Sequence, residues 1–204
     1  MPAGGLVMLH SPLATAEQCA RVAAELERQG VRCTLPELGP ADMSPYAARF
    51  VARAAQRIGQ HHDSGETLGI VARGAAGPLA PQVAAAQRAA GRHVASYILL
   101  DALLPQQGTP TLAELAHTQA DTAEVLEAAS RTVNDPDALR DEQLPIVHDW
   151  PDAPCGYLLT DTRYSHCARL ARLRGWPVTD LSDEPPDDAG LARAVISMRG
   201  ALTS

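Results

Sequence analysis

Six short apolar runs alternate with longer stretches of helical periodicity, and that alternation constrains this chain more than anything else in it. The runs are Leu6 to His10, Val31 to Leu38, Leu68 to Ala72, Val94 to Asp101, Gly156 to Thr160 and Trp176 to Leu181. Each has the length of a strand, and the segments between them carry apolar residues at i, i+3, i+4 and i+7. Cys19, Val22, Ala23 and Leu26 form one such stripe, closed by Gly30. Ala47, Phe50, Val51, Ala54 and Ile58 form another, opened by Ser44 and Pro45. Thr15 and Gln18 have the spacing of a capping box ahead of the first helix. Further helices are predicted over Pro78 to Ala90, Tyr164 to Arg174 and Ala189 to Leu202. Parallel neighbours need a crossover, and a helix is the usual one. The expectation is therefore an α/β fold: a mostly parallel sheet of about six strands with helices on both faces.

Composition sets the outer limits. A chain of 204 residues with 46% hydrophobic content can bury one sizeable core, so residues 1–204 read as a single domain. Aromatic residues make up only 3%, which leaves Ala, Val and Leu to build that core. A formal net charge of -7 argues against nucleic acid, whose phosphates need a basic surface. No apolar stretch reaches membrane-spanning length and no leader pattern precedes the first strand, so a cytoplasmic protein without membrane partners is expected. Cys19, Cys33, Cys155 and Cys167 follow no paired spacing, which suggests buried thiols in a reducing compartment. His61, His62 and Asp63 fall in a polar loop and make a weak metal set, so neither metal nor cofactor is expected. Residues 105–154 break the rhythm, with helical patches at Thr111 to His117 and Asp121 to Thr132.

The chemistry centres on GIVARGAAGPLAP, Gly69 to Pro81, where an apolar run breaks into small residues and restarts as a proline-led helix. With MLHSP at Met8 to Pro12, YILLDALLP from Tyr97 to Pro105 and GWPVTDLSDE from Gly175 to Glu184, this order of features resembles the α/β-hydrolase fold. The likeness is to a short form lacking the first two antiparallel strands, and it runs from Leu6 over nearly the whole chain. It implies that 105–154 is a cap insertion. It also implies that Gly74 stands where the nucleophilic serine of G-x-S-x-G would be, with Ala72 and Ala76 keeping the required smallness.

Three departures from that pattern argue against classical ester hydrolysis. Gly74 has no side chain with which to form an acyl-enzyme. No histidine follows His166, whereas the resemblance would put one near Asp183, Glu184 and Pro185. One oxyanion donor would be the backbone N–H of residue 12, which is proline and has none; the N–H of Ala75 would be the other.

What remains is a set of polar residues at strand ends. Arg73, Asp101 and Tyr164 are the catalytic candidates: Arg73 to hold a carboxylate or enolate or to lock onto Asp101, Asp101 as a carboxylate facing the pocket, Tyr164 as a proton or hydrogen-bond donor. His10, Ser11, Gly74, Ala75 and His148 are candidates for substrate binding, His148 from the cap. Ser11 and Cys155 are the only residues near strand ends able to replace the nucleophile, and neither has a convincing base beside it: His10, next to Ser11, is expected to pack and hydrogen-bond within its own loop. Asp183 and Glu184 read as a solvated acidic loop. Two functions follow from the resemblance. One is a non-hydrolytic enzyme (cyclase, isomerase or lyase) acting on a small or polyketide-like molecule in bacterial secondary metabolism. The alternative is a pseudoenzyme that binds a ligand or a protein partner. A small-molecule ligand and a homodimer are compatible with either.

Overall fold

The computed structural model describes residues 4–38, 43–120, 126, 136–148 and 150–203. Its six strands are β1 (Gly5–Leu9), β2 (Cys33–Thr34), β3 (Thr67–Gly74), β4 (His93–Ala102), β5 (Cys155–Leu159) and β6 (Val178–Asp180). They form one sheet in the order β2-β1-β3-β4-β5-β6, and every pairing is parallel. The helices are α1 (Glu17–Arg28), α2 (Tyr46–Gly59), α3 (Ala80–Ala89), α4 (Leu112–Gln119), α5 (Pro136–Asp141), α6 (Ser165–Leu173) and α7 (Asp188–Thr203). No described helix is long and apolar enough to cross a membrane.

Both faces of the sheet are covered, as near-continuous apolar strands require. Leu6, Met8, Val71, Ile98, Leu100 and Leu158 pack against α1 and α7 on one face. Val7, Leu9, Ile70, Ala72 and Leu99 pack on the other against α2, α3 and α6. The alternation along each strand is the period-two geometry of β structure. The four cysteines are free and buried.

Local differences from the sequence expectation have physical causes. The Thr15–Gln18 capping box does not form: α1 is capped at Ala16 without a side-chain bond, so Gln18 lies one position short of the third helical residue that a box needs. Of Val31 to Leu38 only Cys33 and Thr34 form the edge strand beside β1, with the Arg32 carbonyl accepting the Leu6 N–H at 2.8 Å. The helix after β3 opens with a 3-10 turn, Gly77–Leu79, and Tyr164 ends another, Thr162–Tyr164. The segment HHDSGE is not wholly a polar loop. His62 is buried, with its ring nitrogens bonded to Thr34 Oγ1 at 2.9 Å and Glu66 Oε2 at 3.1 Å. The helical patch read over Asp121 to Thr132 lies outside the described residues except for Leu126, which is buried.

Between β4 and β5, α4 begins on a capping box formed by Thr111 and Glu114. Glu142, just past α5, reaches back to accept the N–H groups of Tyr46 and Ala47 at 2.8 and 2.9 Å. A carboxylate 95 residues away thus does the work of an N-cap that Pro45 cannot do.

Candidate active site

Strand order reverses between β1 and β3: the chain leaves β1 for one edge of the sheet and β3 for the other. In open parallel sheets the carboxyl ends at such a reversal leave a crevice. Here it is a half-open cavity of about 250 Å³, and its walls are the last residues of β3 and β4, the residues that follow β1 and β5, and the first turn of α1.

Two residues with positive φ shape its floor. β3 ends at Gly74 with φ 58°, and the neighbouring β4 carries Asp101 at φ 41°, the one non-glycine residue with positive φ among those described. Arg73 pairs with Leu100 and Gly74 with Ala102, so Asp101 is the extra residue of a β-bulge. Bulges re-aim side chains, and this one turns the Asp101 carboxyl toward the loop after β5. Its Oδ1 accepts from the N–H of Thr160 at 2.7 Å and of Asp161 at 3.1 Å, and its Oδ2 from the Thr160 hydroxyl. Burial pushes the Asp101 carboxyl above its ordinary value; these bonds and the Arg73 charge pull the other way.

Gly77 explains why the bend is so tight. A Cβ there would lie 2.1 Å from the Leu103 carbonyl oxygen, so only glycine lets the start of the helix approach the end of β4.

Arg73 is half-buried on the cavity wall, its stem among Met8, Leu100 and Leu191. It makes no ion pair within 4 Å among the described residues, so of the two roles open to it the lock onto Asp101 is not formed. Its charge and a hydrogen bond bear on the Cys19 thiol, which burial nonetheless raises. Arg163, by contrast, is held by Asp161 through Nε and Nη2, and that contact holds the Asp161 carboxyl below its ordinary value.

His10 is buried, stacked edge-on to Phe50, with Nδ1 2.9 Å from the Ser11 carbonyl. A carbonyl only accepts, so Nδ1 carries the proton and Nε2 is bare; it has no partner among the described residues. Burial lowers the His10 pKa, and the ring is neutral near neutral pH. Tyr164 is buried at the end of its 3-10 turn, its phenol raised first by burial and then by the Asp101 charge.

Six of the eight candidate residues therefore share one cavity: His10, Ser11, Arg73, Gly74, Asp101 and Tyr164. Ala75 is buried and does not line it; its N–H meets no acceptor among the described residues. His148 is exposed and does not line it; its carbonyl accepts from Gln107. None of the described residues of 105–154 lines it either. Cys155 is buried at the opposite, amino end of β5, and Asp183 and Glu184 are exposed. Gln18, Cys19, Asp161 and Arg163 were missed as wall residues. The stretch TDTR, directly after a strand, was the signal for two of them. Among the described residues no three His, Cys, Asp or Glu side chains are grouped to hold a metal.

No protein-family model matches the sequence, and no curated protein is significantly similar to it. Solved structures are. An extracellular α/β-hydrolase from a Paenibacillus species superposes with a TM-score of 0.63 at 14% identity, over 96% of this chain and 99% of its own. A pyrethroid hydrolase from Sphingobium faniae JZ-2 gives 0.65 at 14%, over 97% and 98%.

The chain has the α/β-hydrolase fold.

Tomato methylketone synthase I, solved with 2-tridecanone, shares this fold with a TM-score of 0.62 at 11% identity, over 99% of this chain and 100% of that one.

Proposed function

We propose that this chain is a non-hydrolytic enzyme that shifts a proton on a small molecule, by isomerisation, cyclisation or elimination. The observation that carries this reading is the presence of Arg73, Asp101 and Tyr164 in one cavity whose floor is a glycine. Without a side chain at residue 74, and with no histidine after His166, attack on an ester has neither nucleophile nor the usual base. The groups that remain suit proton transfer. Asp101 is buried, its proton affinity is raised, and Oδ2 keeps a lone pair beyond the Thr160 contact, which fits a general base. Arg73, lacking an ion pair among the described residues, supplies positive charge for the anion that proton removal creates. Tyr164 supplies a neutral O–H. A cavity of about 250 Å³ suits a small substrate better than a polyketide chain.

One observation favours a second reading, a ligand-binding protein descended from a hydrolase. The cavity is half-open and no described residue between 105 and 154 covers it, whereas proton transfer benefits from excluded water.

The test is exchange of α-protons into deuterium oxide across a panel of small ketones and β-dicarbonyl compounds, followed by NMR. Exchange above background that falls at least a hundredfold in Asp101→Asn is expected. Exchange that survives the substitution removes Asp101 as base, and no exchange with any compound favours the binding protein. Turnover of p-nitrophenyl esters, or labelling by a fluorophosphonate, would overturn the non-hydrolytic reading.

A further inference from the structure

The charges that line the cavity are Arg73, Asp101, Asp161 and Arg163, and all but Arg73 are answered by groups already in contact. Asp161 accepts from Arg163 on both carboxylate oxygens. Asp101 accepts the N–H groups of Thr160 and Asp161 and the Thr160 hydroxyl. Arg73 has its stem among Met8, Leu100 and Leu191, and its head is half-buried and bonded to the Cys19 thiol. Burial keeps that thiol neutral, so the contact supplies no counter-charge. No carboxylate among the described residues lies within 4 Å of the guanidinium. A cation taken part-way out of water without an anion in contact is costly, and an anion brought in by a ligand offsets that cost. Arg73 and Asp101 thus face one cavity with opposite charge and do not touch.

We propose that the substrate is a small monocarboxylic acid, bound as its anion with the carboxylate on Arg73 and the acidic C–H toward Asp101. This rests on the proton-transfer reading above for the end of the ligand that faces Asp101; the anion site at Arg73 stands without it. An enolate exists only during turnover and adds nothing to the affinity of the resting complex, whereas a carboxylate does. The guanidinium presents more N–H donors than one carboxylate occupies, so the side chain can hold the substrate and still face the enolate oxygen. A carboxylate held there is also a negative charge facing Asp101. It favours the protonated form of Asp101, which makes that residue a stronger base. The same reasoning sets the limit at a single negative charge. Arg163 is already held by Asp161, and a dianion would meet the carboxylates of Asp101 and Asp161 with no second cation to balance it.

The probes are acetate, benzoate and 4-oxopentanoate, each paired with its neutral amide, and binding to the whole protein is followed by calorimetry. The amide has nearly the shape of the acid and lacks its charge. In the wild type at least one acid is expected to bind roughly tenfold or more tightly than its amide, the worth of hydrogen bonds to a charged group. Succinate and inorganic phosphate are expected to bind more weakly than that acid. Arg73→Met keeps an apolar stem and removes the charge; it is expected to bring acid and amide within about twofold of each other. Arg73→Lys keeps the charge without the planar fork and is expected to restore part of the preference. Should Arg73→Met fail to fold, the acid–amide comparison in the wild type and in Arg73→Lys decides. No acid preference in any wild-type pair, a preference that survives Arg73→Met, or phosphate binding tighter than every acid overturns the proposal. Acid binding without α-proton exchange would keep the anion site and retire the enzyme. Exchange of neutral ketones with no preference for acids would do the reverse.

Discussion

Gly74 is where the sequence and the geometry meet most closely. Its φ of 58° is a conformation that residues with a Cβ adopt at a cost of about 1–2 kcal/mol. A serine there would also press on Ser11 Cβ at 3.1 Å. Gly74→Ser is therefore expected to fold with stability lowered by about 1–2 kcal/mol in urea denaturation, and to gain no esterase activity, because no histidine follows His166. Substantial turnover of p-nitrophenyl esters by this variant would reveal an unrecognised base, and His10 with its bare Nε2 would be the first to test. Six candidates could be placed on one rim from sequence because parallel strands end on the same edge, so residues just past each apolar run become neighbours. The partners of those residues were not legible. Cys19 fits the apolar stripe of α1 as a core residue, and nothing in its spacing shows that the first turn of that helix also walls the cavity. The bond from Thr160 to Asp101 joins residues 59 apart and depends on a one-residue bulge that no motif encodes.

At the scale of elements, the type and rough bounds of strands and helices followed from hydrophobic period, whereas the groups that cap the helices did not. A start depends on whichever group satisfies the first N–H donors, and that group can come from anywhere in the chain. Glu142 is the clearest instance. It accepts from the N–H of Tyr46 and Ala47 and from the Ser44 hydroxyl, fastening the end of α5 to the start of α2. Glu142→Ala is expected to destabilise the protein by about 1–2 kcal/mol, the range for a lost cap. Amide hydrogen exchange should show Tyr46 and Ala47 losing protection first. Equal protection in both proteins would mean that the cap is dispensable. Glu142→Gln should recover part of the loss, since its one carbonyl oxygen can still accept.

For the molecule as a whole, buried and paired carboxyls at opposite ends of the sheet should shape acid stability with opposite sign. Glu66 lies at the amino ends of the strands, bonded to His62 and contacted by Arg32. The His62 hydrogen bond, the Asp63 N–H and Arg32 hold its carboxyl at about 2, below its ordinary 4.5. A depressed folded value means stability that is present above about 4.5 and disappears as pH falls through about 2. Asp101, at the carboxyl ends, is shifted upward, mainly by burial. Its ionisation opposes folding, so its penalty is absent below the ordinary value of 3.8 and grows as pH rises through the folded value. Glu66→Gln should therefore be less stable than wild type near neutral pH, with the gap closing as pH approaches 2. Asp101→Asn should be as stable as wild type or more so near neutral pH, with the difference vanishing below about 3.8. Urea midpoints measured from neutral to acid pH for the three proteins separate these outcomes. A constant gap between wild type and Glu66→Gln across that range would show that the His62–Glu66–Arg32 contact does not form. A destabilised Asp101→Asn at neutral pH would show that the Thr160 and Asp161 bonds outweigh the cost of burying the charge.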